Sequence, residues 1–293
     1  MLIATLIAPE TLEKGEISSA QDCLAQAGAK IERLGEMVDN RSVDIYFDGD
    51  PARVRRLLEA ACACIDIAVQ PSENRRKKLL ISDMDSTMIT VECIDELAGY
   101  AGIKDQIAEV TERAMRGELD FEEALRSRVA LLKDLKTAAI QQCLDEKIKL
   151  MPGARTLVRT MNKLGARTIL VSGGFTKFAD PVANAIGFEE YHANVLDEKS
   201  GLLTGALAGE IVDASRKAEI LRSAVKAGRL AMADTLAVGD GANDIPMIEL
   251  AGLGVAYHAK LKAAQAADAA IRHNDLTALL YIQGISRAEW LID

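Results

Sequence analysis

With 293 residues, 49% of them apolar and 27% charged, the chain is long enough for about two domains, each with its own core. A formal charge of -9 disfavours nucleic acid, which needs clustered Lys and Arg, and repels anionic substrates at long range. No apolar run approaches the roughly 20 residues that span a bilayer, and the start, MLIATLIAPE, lacks a basic n-region and a cleavage site, which points to the cytoplasm and to no membrane partner.

In chain order, LIATLIA reads as a strand, SSAQDCLAQAGA as a helix, and KIERLGEMV and SVDIYFDG as strands. DPARVRRLLEAACAC follows as a helix capped by Asp50 with Pro51 at its first position, and IDIAVQ closes the unit as a strand. This β-α-β-β-α-β order over residues 1–70 fits a ferredoxin-like α+β domain and resembles the ACT-type amino-acid-sensing domains. ACT-type domains commonly bind an amino acid at a dimer interface, so the resemblance implies a homodimer through this unit. The first strand leads into PETLEKGEISS without a glycine-rich binding turn. Residues 71–78, PSENRRKK, read as a solvated polar linker.

From Leu79 the apolar strands run without alternation: LLISDMD, RTILVSGG, TLAVGDGAND, GVAYHA and AAIR. Such strands are buried on both faces, so residues 79–293 read as an α/β, Rossmann-like parallel sheet covered by helices. Between the first two strands the pattern is helical from about Glu92 to Leu150, a cap inserted after the first strand. DEKSGLLTGALAGEIV reads as a hairpin. The five cysteines, Cys23, Cys62, Cys64, Cys93 and Cys143, contain no C-x-x-C pair and read as reduced and mostly buried. His192, His258 and His273 are scattered and read as structural.

Ligands of open parallel sheets bind beyond the carboxyl ends of the strands. Three such ends carry polar groups: Asp83 and Asp85; Ser172, Gly173 and Gly174; and Asp240, Asn243 and Asp244. Four carboxylates on one rim must protonate or bind a cation, and a hard divalent ion, Mg²⁺, suits oxygen ligands, waters and a substrate phosphate. An EF-hand fails, because Met88 stands where its loop needs Gly and Ile94 where it needs Glu. Lys217, in the first turn of a helix capped by Asp213, reads from that helix alone as an exposed lysine, since the helix dipole disfavours a cation there. Its position between the second and third motifs promotes it to a phosphate ligand. Ser172 and the glycines read as opening a helix whose free N–H groups favour an anion.

DMDST, Ser172, Lys217 and GDGAND, in that order, resemble the haloacid dehalogenase superfamily. DSTMITVECIDELA, GELDFEEALRSRV, VSGGF and VGDGANDIPM are similar to the phosphoserine phosphatases within it. The resemblance implies Asp83 as nucleophile through an aspartyl-phosphate and Asp85 as general acid and base. It implies Mg²⁺ on Asp83, Asp240 and the backbone carbonyl of Asp85, and phosphoryl oxygens on Ser172, Gly173, Lys217 and Asn243. Asp244 would orient Lys217 or the metal shell. The implied reaction is hydrolysis of O-phospho-L-serine, the last step of serine biosynthesis.

Within the cap, LDFEEALRSRVALL reads as a helix opened by Asp120 and Glu123, with Phe121, Leu125 and Leu132 on one stripe. Arg128 falls inside that stripe and Arg126 outside it. A charge there needs a partner, and the resemblance supplies the substrate carboxylate. Glu92, in the first turn of VECIDELAGYA, would by the same resemblance take the substrate ammonium, with Met115 and Phe121 walling the pocket. Two other readings stay open: a phosphatase or phosphotransferase acting on another small phosphomonoester such as phosphohomoserine, and a non-catalytic amino-acid-sensing regulator.

Overall fold

The computed structural model describes residues 1–115 and 118–292, and only the backbone of Ala114 and Met115. The first unit comprises β1 (Leu2–Ile7), α1 (Lys14–Gln26), β2 (Lys30–Leu34), β3 (Ser42–Asp48), α2 (Pro51–Ala61) and β4 (Asp66–Pro71). Its strands run antiparallel in the order β2-β3-β1-β4. Alternation sends Ala4 and Leu6 of β1 and Ile45 and Phe47 of β3 into one core, against Val54 and Leu58 of α2. As expected, Asp50 caps α2, accepting from the N–H groups of Ala52 and Arg53 at 2.9 and 3.1 Å beside Pro51, which needs no acceptor.

The second unit follows with β5 (Leu79–Ser82), α3 (Cys93–Ala101), α4 (Lys104–Met115), α5 (Phe121–Ala130), α6 (Ala138–Lys147), α7 (Ala154–Lys163), β6 (Arg167–Phe175) and α8 (Thr176–Ile186). The hairpin β7 (Glu190–Lys199) and β8 (Leu202–Ala208) leads into α9 (Ala214–Gly228) and β9 (Thr235–Gly239). After α10 (Ile245–Leu250) come β10 (Leu253–Tyr257), α11 (Leu261–Ala266), β11 (Ala269–Ile271) and α12 (Ala278–Ile282). Strands β11, β10, β9, β5, β6 and β7 are parallel neighbours. Leu80 faces one core while Leu79 and Ile81 face another, the double burial read from unbroken apolar strands. Helices α3 to α6 form the inserted cap. Its neck is closed where Thr90 donates to the Lys149 carbonyl (3.0 Å) and Met151 to that of Met88 (2.9 Å).

Two sequence expectations change. The two units do not carry separate sheets: Ile67 and Ala68 of β4 pair antiparallel with Ala270 and Ala269 of β11, giving one eleven-stranded sheet. Asp66, buried at this seam, explains the join, since its carboxylate accepts N–H bonds from Arg272, His273 and Asn274 at 2.7 to 3.2 Å. Nor is 71–78 a solvated connector throughout. Arg75 forks the Asp44 carboxylate with two 2.7 Å bonds and donates to the carbonyls of Tyr281 and Ile282, while Lys77 is buried with Nζ on the Ala233 carbonyl at 2.8 Å. Basic side chains serve here as donors to carbonyls the seam would otherwise leave unmet.

Candidate active site

The chain runs from β5 to β6 and β7 on one side, then returns to β9 on the other, so the order reverses between β5 and β9. A crevice forms at such a switch point, and Asp83 and Asp240 follow the two strands that flank it. The Asp83 N–H donates to the Val238 carbonyl at 3.0 Å, which ties the two strand ends together. Asp244 sits in the turn after Asp240, and oxygens of Asp83, Asp240 and Asp244 lie within 4.8 Å of one another. Three carboxylates at that spacing fit a divalent cation with oxygen ligands.

Lys217 is wholly buried, not exposed as its helix alone implied. Its Nζ donates to Asp244 Oδ1 at 2.7 Å and to Asp83 Oδ1. Asp213 caps α9 through the Arg216 N–H at 2.7 Å, and two carboxylates outweigh the dipole penalty on a first-turn cation. The second oxygen of Asp244 accepts from the N–H groups of Asp240 (3.1 Å) and Gly241 (3.0 Å). Asp244 is thereby committed to holding Lys217 and the turn. A Cβ on Gly239 would stand 2.4 Å from the Asp244 carboxyl carbon, so glycine is required for that turn to close.

Burial, then Asp244, pushes Asp83 well above the ordinary carboxylate range, with Lys217 pulling the other way. Asp240 is pushed up to about 6 by burial and by Asp244 and Glu92. Asp85 is pushed up to about 7 by burial and then Glu92, while two hydrogen bonds from Cys93 oppose the rise. Burial alone would lower Lys217, but the carboxylates of Asp244 and Asp83 hold it above its usual value and keep it charged. The rim is thus short of positive charge, as expected of a site that takes a cation.

Asp83, Asp85, Asp240, Asn243, Ser172 and Gly173 share one cavity of about 530 Å³ with Glu92, Phe121 and Arg128 of the cap. The Ser172 hydroxyl accepts from the Gly174 N–H at 2.8 Å. This segment does not open a helix as read from sequence: β6 continues through Phe175, and α8 begins only at Thr176. Glu92 is the residue before α3, one step earlier than expected, and Ser86 donates to it at 2.8 Å. Asp120 and Glu123 form the expected reciprocal cap of α5, which places Phe121 over Gly173, 3.3 Å from where a Cβ would stand. Arg128 donates to the Ala124 carbonyl at 3.3 Å within its own helix, and Arg126 points away to Glu122. The Met115 side chain lies outside the described residues.

The sequence pattern of the haloacid dehalogenase-like hydrolases matches residues 77–252. The chain belongs to that family. This hydrolase is 39% identical over 295 residues to a phosphoserine phosphatase of Streptomyces coelicolor, covering 98% of this chain and 71% of that protein. The crystal structure of a probable phosphoserine phosphatase from Vibrio cholerae matches it with a TM-score of 0.78 at 34% identity, over 98% of this chain and 88% of that one. A solved phospho-aspartyl intermediate analogue of phosphoserine phosphatase matches with a TM-score of 0.65 at 38% identity, over 70% of this chain and 98% of that one.

Four residues of the hydrolase site had no signal in sequence. Ser86 holds a left-handed backbone (φ 56°) that turns its hydroxyl to Glu92, and no residue type announces such a turn. Cys93, read only as a buried hydrophobe, meets Asp85 with both its thiol and its N–H. Burial and then Asp85 push that thiol well above its ordinary pKa, so it remains a donor. Lys260 and Lys262 line the cavity mouth, brought there by the Lys260 N–H donating to the Asp240 carbonyl at 3.0 Å.

Proposed function

We propose that this hydrolase releases phosphate from O-phospho-L-serine with Mg²⁺, the closing step of serine formation. One observation carries the reading: a buried carboxylate paired with a buried lysine faces, across one cavity, a second carboxylate and a cap bearing one acid and one guanidinium. In the mechanism Asp83 attacks phosphorus and forms an acyl phosphate, and the breaking P–O bond leaves its electron pair on the serine oxygen. Asp85 gives that oxygen its proton and then takes one from the water that attacks the aspartyl-phosphate. Ser172, Gly173, Lys217 and Asn243 hold the phosphoryl oxygens, which phosphoryl transfer needs above all. Glu92 takes the ammonium, Arg128 the carboxylate, and Phe121 walls the side chain.

Asp83 and Asp240, with the Asp85 carbonyl, would hold Mg²⁺, which supplies charge neutralisation for the phosphoryl oxygens. The role of the Asp85 carbonyl is what the family resemblance implies, while both oxygens of its carboxyl meet Cys93. A panel assay of phosphate release tests the reading. Phosphoserine is expected to exceed phosphothreonine, phosphohomoserine and sugar phosphates in kcat/KM by roughly a hundredfold, and chelation to abolish release. Equal turnover of a sugar phosphate, or full activity in chelator, overturns it. Because Asp240 binds a proton up to about pH 6, the cation must displace it in acid. Magnesium titrations are therefore expected to show activation that weakens as pH falls through that value.

We also infer that residues 1–70 form an ACT-like domain, on the support of its β-α-β-β-α-β order and 2-3-1-4 strand arrangement. Residues 79–293 are the phosphatase domain, with its cap at about 92–150. Among the described residues no helix is long and apolar enough to cross a membrane. In the protein β2 is an edge strand, exposed except at Ile31 and followed by the exposed Met37, which favours pairing with a second copy. Light scattering is expected to return twice the 31.5 kDa chain mass, and the monomer mass refutes the dimer.

A further inference from the structure

We infer that Cys93 is the positioning residue of the acid, holding the Asp85 carboxyl in the orientation from which it protonates the leaving serine oxygen. The inference rests on the phosphoserine reading. Cys93 is fully buried at the first position of α3. Its Sγ donates to Asp85 Oδ1 at 3.1 Å and its N–H to Asp85 Oδ2 at 3.2 Å. Each oxygen of the carboxyl therefore has one donor, and among the described residues no other group donates to either. Two bonds from one residue stop rotation of the carboxyl plane, which one bond would not.

The placement matters because Asp85 belongs to the turn after β5, whereas Cys93 opens the first helix of the cap. Glu92, which faces the substrate ammonium in this reading, is its immediate neighbour. The residue that senses the substrate and the residue that holds the acid are thus successive on one backbone, and the grip on Asp85 is made from the cap side. Serine is a poor leaving group, so as the P–O bond breaks its oxygen needs the Asp85 proton at once. A nitrophenolate leaves without one. Loss of the thiol donor must then slow the first substrate and spare the second.

The test compares kcat/KM for phosphoserine and p-nitrophenyl phosphate in wild type, Cys93→Ser, Cys93→Ala and Cys93→Val, with thermal unfolding run beside them. Cys93→Ala is expected to lose roughly tenfold on phosphoserine, part of the 10²–10⁴ that a general acid supplies, and less than about twofold on p-nitrophenyl phosphate. Cys93→Ser keeps a donor and is expected to recover most of the loss. Cys93→Val fills the same space without a donor and repeats the alanine result if the bond matters rather than the packing. Equal losses on both substrates, no loss in Cys93→Ala, or a serine variant no better than alanine overturns the role. Should wild type itself fail to turn over phosphoserine, the functional reading falls, and this inference with it; a normal wild type with an indifferent Cys93→Ala removes this inference alone.

Discussion

Asp83→Asn removes phosphate release from phosphoserine, by on the order of 10⁵-fold or more in kcat, while the protein stays folded. The amide keeps the volume of the carboxylate but has no lone-pair charge with which to attack phosphorus. Lys217 is not stranded by the change, because Asp244 still accepts from its Nζ at 2.7 Å. The variant is also relieved of one acid that burial and Asp244 hold well above the ordinary carboxylate range. Its thermal midpoint is accordingly expected within a few degrees of wild type, roughly what a change under 1 kcal/mol produces. Activity above about one per cent of wild type in a folded preparation would mean that phosphorus is attacked by water directly, and the covalent route would be wrong.

How much of this was open to a reader of the sequence depends on whether the cause is local. Asp83 and Asp85 at the end of an apolar run, and Asp240 after another, follow from the rule that parallel strands present their carboxyl ends to ligand, and the rule needs only hydropathy. The Asp50 and Asp120 caps are equally local and appear where expected. Lys217 is different: its own helix argues for solvent, and only the motif order argued otherwise. What buries it is Asp83 and Asp244, 134 and 27 residues away along the chain. The seam between the two units was illegible for the same reason. Nothing near PSENRRKK says that Arg75 meets Asp44 or that β4 has β11 beside it. Cys93 carried no signal at all, since a thiol on a buried face is ordinarily packing, and its meeting with Asp85 depends on how the turn after β5 folds back.

Lys217→Met is expected to cost about 3–5 kcal/mol of folding stability when measured by urea unfolding in chelator, besides abolishing activity. Methionine fills the buried stem, so the loss is electrostatic: Asp83 and Asp244 remain a short distance apart with no cation between them. The sign with pH follows from Asp83. Its folded pKa is raised, so the folded state binds more protons than the unfolded chain, and stability falls as pH rises above the unfolded value. Without Lys217 to pull it down, Asp83 is raised further, so the variant's deficit is smaller at about pH 5 than at about pH 8, where holding a proton on Asp83 in the fold costs more. Wild type shares the slope that the raised Asp83 gives it, but Lys217 stays charged beside Asp83 and pulls its pKa down, so the wild-type slope is the shallower of the two. Adding Asp83→Asn to Lys217→Met is expected to return about 1 kcal/mol or more, because one of the two stranded acids is gone. A single Lys217→Met variant as stable as wild type, or a double variant no better than the single one, would show that the lysine is not what neutralises the crevice. In that case the pairing of Asp83 with Lys217 could not be what readies the nucleophile.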